Sequence, residues 1–220
     1  DARTGVITQT RRHTYLVSLL GIKHVVLAVN KMDLVDFDKQ IFDKIVSDYK
    51  EFVSSLNIPD ITYIPLNGAF CYLSTILDGC TKQVLSYVLS ESLEVDFVLE
   101  TVQKMVHQHG ISLKKETILH SDQGCHYTCI KFIQLVKNSS LRQSMSRKGN
   151  CWDNAPQESF FGHMKDELAE KIPNWTCFAD VQRSIDDWMD YYNNDRYQWD
   201  LAKLSPNEYY RYMTTGSYPC

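Results

Sequence analysis

The chain lacks a membrane-crossing run, a leader and a cysteine framework, and each absence narrows what it can be. No stretch of 18 apolar residues occurs in its 220 positions, so nothing in it reads as a membrane-spanning helix. Asp1-Ala2-Arg3 opens the chain without an initiator Met and without the basic-then-apolar pattern of a secretion signal. A cytoplasmic fragment of a longer protein is therefore expected. The seven cysteines are odd in number and include no C-x-x-C pair, which argues against a disulfide framework or a zinc ribbon and for reduced thiols. His120, Cys125, His126 and Cys129 cluster along the chain, as either soft-metal ligands or ordinary loop and helix residues.

Positive charge is also in short supply. Lys and Arg number 23 against 27 Asp and Glu, a net charge of −4, which counts mildly against a nucleic-acid partner because such surfaces are usually basic. The distribution qualifies the sum, since Lys131, Lys137, Arg142, Arg147 and Lys148 share a stretch with no acid. Such a run suits a solvated face as well as phosphate contacts. What is present is a globular composition: 44% apolar residues can bury a sizeable core, and 23% charged residues is too few for a disordered polar chain.

Two textures divide the chain. Residues 1–59 carry an α/β pattern, with an apolar run at 24–29 and a helical stretch at 38–56 that places Ile41, Ile45, Tyr49, Phe52 and Val53 on one face. From Ile61 three short strands are predicted, at 61–65, 70–77 and 84–89, separated by the hairpin signals Asn67-Gly68 and Asp78-Gly79. Then follow a helix at 95–106 closed by Gly110, a strand at 117–120, a helix at 129–136, a strand at 141–145 and a helix at 156–168. The last regular element expected is a helix at 178–192 with Thr176 as its N-cap. This order implies an α/β fold, a mixed sheet with flanking helices.

Phosphodiester transfer without a covalent enzyme intermediate needs hard cations at the attacking and leaving oxygens, and therefore oxygen ligands gathered from distant positions. Asp60 at the start of the first strand, Asp122 just after the fourth and Glu158 in the first turn of a helix have that distribution. Taken singly, each has an ordinary structural use: a strand-initiating residue, a turn residue before Gln123-Gly124, and a partner of the helix dipole. With 27 acids in the chain, the separation of Asp122 and Glu158 recurs by chance, so the flanks carry the specificity. They are Asp60-Ile-Thr-Tyr63, Tyr72-Leu-Ser-Thr-Ile-Leu-Asp78, His120-Ser-Asp-Gln-Gly124, Ser144-Met-Ser-Arg147, Gly149-Asn-Cys-Trp-Asp-Asn-Ala-Pro-Gln-Glu-Ser-Phe-Phe161, Tyr191-Tyr-Asn-Asn194 and Leu204-Ser-Pro206.

In order, and across residues 60–220, these stretches resemble the insertion-sequence transposases that carry a retroviral-integrase-like D-D-E core. The resemblance implies a ribonuclease-H-like fold, two Mg²⁺ or Mn²⁺ ions held by Asp60, Asp122 and Glu158, and DNA as substrate. Water would cut at the element end and the freed 3′-hydroxyl would attack target DNA, with the protein self-associating and no membrane involved. Arg142, Arg147 and Lys148 are candidates for phosphate contacts and Trp152 for base stacking, each with solubility or packing as the ordinary alternative.

Asn30-Lys31-Met32-Asp33 follows an apolar run, as in the guanine-reading loop of a GTPase. With Asp1-Ala-Arg-Thr-Gly5, Thr8-Gln-Thr-Arg-Arg-His13 and Leu19-Leu-Gly-Ile-Lys-His24 around it, the segment over residues 1–66 resembles the GTPase subunit of bacterial sulfate adenylyltransferase. A G-x-x-x-x-G-K-[ST] phosphate loop and a D-x-x-G motif are missing, so Asn30, Lys31 and Asp33 would grip only the base, and no GTP binding is expected.

The expected organisation is a truncated GTPase-like segment at 1–59, an integrase-like core at 60–175 and a C-terminal helical extension at 176–220. The simplest account is a chimera joined at Asp60-Ile-Thr-Tyr-Ile-Pro65. Pro59 cannot donate to a central ladder, so the first strand is expected to start only at Asp60, leaving that carboxylate poorly anchored and strand transfer weak or lost. A GTP-binding fragment and a non-catalytic chimera are the alternatives.

Overall fold

Two residues with positive φ, Asn67 at 49° and Gly68 at 77°, close the tight hairpin that the Asn-Gly signal predicts, and they set the register of everything around it. In the computed structural model, which describes residues 2–6, 28–53, 56–110, 117–145 and 155–219, this hairpin joins β1 (Leu56–Leu66) to β2 (Ala69–Asp78). β3 (Val84–Ser90) pairs antiparallel with β2. The Asp78-Gly79 signal marks a longer connection than a two-residue hairpin. There the Asp78 carboxylate accepts the N–H groups of Cys80 (3.0 Å) and Thr81 (2.6 Å).

Helix α2 (Val95–His109) then crosses to β4 (Ile118–Ser121), which lies parallel to β1. Gly110 ends α2 in a right-handed conformation, so its glycine freedom is not used there. The one-turn helix α3 (Cys125–Thr128) and α4 (Ile130–Asn138) lead to β5 (Arg142–Met145), parallel to β4. Helices α5 (Ala155–Leu168), α6 (Phe178–Asn194) and α7 (Pro206–Thr215) complete the chain, and α1 (Lys39–Val53) precedes the sheet. The result is a mixed five-stranded sheet of order β3-β2-β1-β4-β5 with helices on both faces.

Period-two alternation in the strands divides the apolar residues between two cores. On one face Ile64, Cys71, Leu73, Leu77 and Leu89 pack against Phe160, Phe161, Met164 and Leu168 of α5 and Val181, Ile185, Trp188, Met189 and Tyr192 of α6. On the other, Ile76, Val88 and Leu119 meet Phe97, Val98, Val102 and Met105 of α2 and Phe132 and Val136 of α4. Fully burying each such side chain contributes about 1.5–3 kcal/mol, so the sheet is clamped from both sides.

Three expectations need correction. β1 begins at Leu56 rather than at Asp60, with Pro59 inside it opposite Ile76 of β2. The proline is accommodated because pairing with β4 is confined to Leu56 and Asn57, ahead of the missing donor, while β2 supplies a ten-position register on the other side. Cys177, not Thr176, caps α6; Thr176 instead donates through its N–H and hydroxyl to Asp180 at 3.0 and 2.8 Å. Helix α7 was not expected at all, although Ser205 and Glu208 form a reciprocal capping box and Pro206 occupies its first turn.

In the N-terminal part, Met32–Val35 forms a 3-10 turn. The apolar run expected as a strand at 24–29 lies largely outside the described residues. Among the described residues no helix is long and apolar enough to cross a membrane.

Phe132 is fully buried and touches Tyr127 edge-on with ring centroids 5.3 Å apart. Phe132→Ala is expected to cost about 3–5 kcal/mol in urea unfolding of the purified chain, through lost burial and the cavity left behind. A loss under about 1 kcal/mol would mean that this face of the sheet is not packed as described.

Candidate active site

Strand pairing fixes the first acid. Asp60 lies in the middle of β1 directly across from Thr75 of β2, so both side chains leave the sheet on the face covered by α5 and α6. Its carboxylate oxygen Oδ1 accepts the Ile61 N–H at 2.7 Å, which anchors the group that the late strand start was expected to leave loose. Asp122 follows β4, the parallel neighbour of β1, and its Oδ1 accepts the Gly124 N–H at 2.8 Å. A Cβ on residue 124 would lie 2.8 Å from that oxygen, so the absence of a side chain there gives Asp122 its room. Glu158 is exposed in the first turn of α5, where the helix dipole favours a negative charge.

Asp60 responds to its burial first and to the other two acids last. Burial pushes the Asp60 carboxyl up to about 7, the Ile61 N–H works against that rise, and the charges of Asp122 and Glu158 add to it. Tyr127 of α3, buried in the core with Phe97 and Phe132, is held well above the usual phenol range by its burial, with Asp60 and Asp122 adding to the effect. Among the described residues no three His, Cys, Asp or Glu side chains are drawn into a ready-made metal cage.

Sequence reasoning missed two neighbours of this site. Tyr127 gave no signal beyond its place after Asp122. Gln157 did: it falls on the helical stripe of Phe160, Phe161, Met164 and Leu168, a polar residue on an apolar face, and it is fully buried with its Nε2 donating to the Thr75 hydroxyl.

The other candidates are not assembled with the acids. Arg142 begins β5 and is exposed, and because β5 runs parallel to β4 it sits at the end of the sheet away from Asp122. Arg147, Lys148 and Trp152 lie outside the described residues.

Asn30, Lys31 and Asp33 are exposed around the 3-10 turn, with the Asn30 side chain accepting the Lys31 N–H at 2.7 Å. The cysteine and histidine cluster is not gathered around one point: Cys125 Sγ meets His126 Nδ1 at 3.6 Å, and the remaining polar atoms face other partners. His120 Nδ1 meets Ser144 Oγ at 3.0 Å, His126 Nε2 meets the Leu93 carbonyl at 2.8 Å, and the Cys129 thiol caps α4 by accepting the Phe132 N–H.

Three antiparallel strands extended by two parallel ones, with acids on the central strand, beyond its parallel neighbour and on a crossing helix, define a ribonuclease-H-like fold. Solved structures of low identity share it. The catalytic domain of Mos1 mariner transposase aligns with TM-score 0.57 at 16% identity, covering 87% of this chain and 97% of that one. The HTLV-2 integrase catalytic core domain in complex with magnesium aligns with TM-score 0.53 at 13% identity, covering 70% and 93%.

Two family models, both described as integrase core domain, match residues 55–151 and 139–206. A transposase-like protein of Haemophilus influenzae is 35% identical over 151 residues, 68% of each chain. The putative transposase InsK of insertion sequence element IS150 from Escherichia coli is 35% identical over 154 residues, 69% of this chain and 53% of InsK. The chain therefore belongs to the transposases built on an integrase core domain.

A second likeness is partial. Sulfate adenylyltransferase subunit 1 of Psychromonas ingrahamii is 60% identical over 68 residues, 31% of this chain and 14% of the subunit. The chain spans about a quarter of the length of the Bacteroides sulfate adenylyltransferase subunits that it matches, and about half of InsK.

The raised Asp60 carboxyl sets a pH dependence. Its folded value of about 7 exceeds the ordinary 3.8, so the stability gained from the neutral form is full below pH 3.8 and is lost as pH rises through 7. In EDTA, the unfolding free energy of wild type relative to Asp60→Asn should fall between pH 5 and 7.5, because the asparagine stays neutral. A difference that does not change across this window contradicts the burial of the Asp60 carboxyl described above.

Proposed function

We propose that the chain is the catalytic core of a transposase that cleaves and rejoins DNA with divalent-metal help, Asp60, Asp122 and Glu158 being the acids that hold the metal. The observation that carries this reading is the distribution of hard oxygen donors over the fold: Asp60 on the central strand, Asp122 just past its parallel neighbour and Glu158 in the first turn of the helix that covers the same face, which supports joint metal binding.

The donor set suits the group. Mg²⁺ and Mn²⁺ prefer carboxylate oxygens, and Mg²⁺ is usually held by one or two carboxylates plus waters and substrate phosphates rather than by an all-protein cage. The acids therefore need not be drawn together beforehand. When bound, two such ions would supply charge stabilisation at the attacking and leaving oxygens of an in-line displacement.

The chain's own residues hold and orient. The β1–β2 ladder fixes Asp60, the Gly124 N–H orients one oxygen of Asp122, and α5 presents Glu158 from its exposed first turn. On residue type alone, Arg147 and Lys148 are candidates for phosphate contacts and Trp152 for base stacking, while Arg142, at the end of the sheet away from Asp122, could reach only DNA distant from the acids. DNA at the element ends and at the target is the partner, with self-association of the protein during transfer.

The partial likeness to sulfate adenylyltransferase supports a second element of the reading, a chimera whose first 59 residues are a GTPase relic. With no phosphate loop in the sequence, Asn30, Lys31 and Asp33 keep only base-edge contacts, which are too few for affinity. Titration of the chain with labelled GTP is expected to give no binding, and tight binding would reverse this assignment.

A Mn²⁺-dependent nicking assay on DNA carrying the element's end tests the main reading. Asp122→Asn and Glu158→Gln should each bring nicking below detection, while the unfolding midpoint in EDTA stays within the range of ordinary surface changes. Nicking that survives both substitutions rules the site out.

A further inference from the structure

A buried amide on an apolar helix face is costly unless something requires it. Within the first turn of α5, Pro156 is half-buried and Glu158 and Ser159 are exposed, whereas Gln157 is fully buried in line with Phe160, Phe161, Met164 and Leu168. A leucine or methionine would fill that volume without desolvating an amide. The amide instead donates through Nε2 to the hydroxyl of Thr75, itself fully buried, while its Oε1 is buried with no hydrogen-bond partner. Packing alone does not account for a polar pair with one orphaned acceptor.

The location of the pair supplies the reason. Thr75 stands directly opposite Asp60 in the β1–β2 ladder, and Gln157 immediately precedes Glu158. The single side-chain bond between Gln157 and Thr75 therefore ties the helix residue beside one acid to the strand residue beside another. The next buried anchor of α5 is Phe160, almost one turn further on, so apolar packing fixes the body of the helix but leaves its first turn free to rotate or fray. A directional hydrogen bond at Gln157 removes that freedom.

We propose that Gln157 and Thr75 form a positioning pair that sets the distance between Glu158 and Asp60, and so the metal affinity of the site. This rests on the reading of Asp60, Asp122 and Glu158 as metal-holding acids. The pair touches neither metal nor DNA; it acts through the acids beside it, as outer partners of metal ligands do, and loss of such partners typically costs ten- to a hundredfold in metal affinity.

The test is Mn²⁺ titration of the full 220-residue chain, read as the loss of the free-ion electron paramagnetic resonance signal, with unfolding midpoints measured in EDTA. Thr75→Val and Gln157→Met remove the bond from either side while keeping volume, and each should raise the Mn²⁺ dissociation constant about tenfold. The double variant should be no weaker than either single one, because both delete one interaction.

Thr75→Ser, which keeps the hydroxyl, should stay within about twofold of wild type. Unfolding midpoints in EDTA should hold or rise, which separates a positioning role from a merely structural one. Wild-type affinity in both folded variants overturns the positioning pair while leaving the metal reading intact, and additive losses in the double variant overturn it as well. Should wild type bind no Mn²⁺ that Asp122→Asn removes, the metal reading fails and the pair falls with it.

Discussion

Burying a carboxyl is costly, and the organisation of this chain follows from how it holds Asp60 against that cost. The carboxyl is carried by the central strand of a sheet that helices clamp from both faces, it is partly withdrawn from water, and it feels two further acids. A loop could not hold such a group, since it would relax outward. A strand with a ten-position antiparallel ladder on one side cannot move without breaking the ladder. The cost is expressed as a raised proton affinity, caused first by burial, and perturbations of this kind cluster at functional sites.

Each acid reaches this place by a different physical route. Asp60 depends on register, because a slip of one residue would turn it to the α2 and α4 face. Asp122 depends on the parallel placement of β4 beside β1 and on a turn whose Gly124 N–H holds one of its oxygens. Glu158 depends on the seating of α5, for which Phe160, Phe161, Met164 and Leu168 supply the apolar grip and Gln157 the directional contact. Rigid elements with locked neighbours are what a metal-assisted site requires, because a loose supporting shell forfeits its geometry. Sequence-distant acids are thus carried on elements that share one buried framework.

Much of this was legible in the sequence because it rests on local rules. The Asn67-Gly68 turn, the two flanking strands and the stripe of α6 are readable from turn chemistry and periodicity, and the flanks of the three acids pointed to the family. What escaped depended on tertiary context or on a local rule left unapplied. Pro59 was read as a strand breaker, yet the ladder it would have broken ends two residues earlier. Helix α7 was missed although Ser205-Pro206 and Glu208 announce it. Cys177 outcompeted Thr176 as a cap because the Thr176 hydroxyl and N–H are engaged by Asp180, which a propensity scale does not reveal. Gln157 was passed over as one more polar residue, although its position on an apolar stripe marked it as buried.

The measurement that bears most directly on this account is the anomalous scattering of Mn²⁺ soaked into crystals of the chain. The account predicts a peak coordinated by carboxylate oxygens of Asp60 and Asp122, with Glu158 turned toward the same site. Saturating Mn²⁺ that leaves no peak there, or that binds elsewhere while the three carboxylates stay apart, would contradict it.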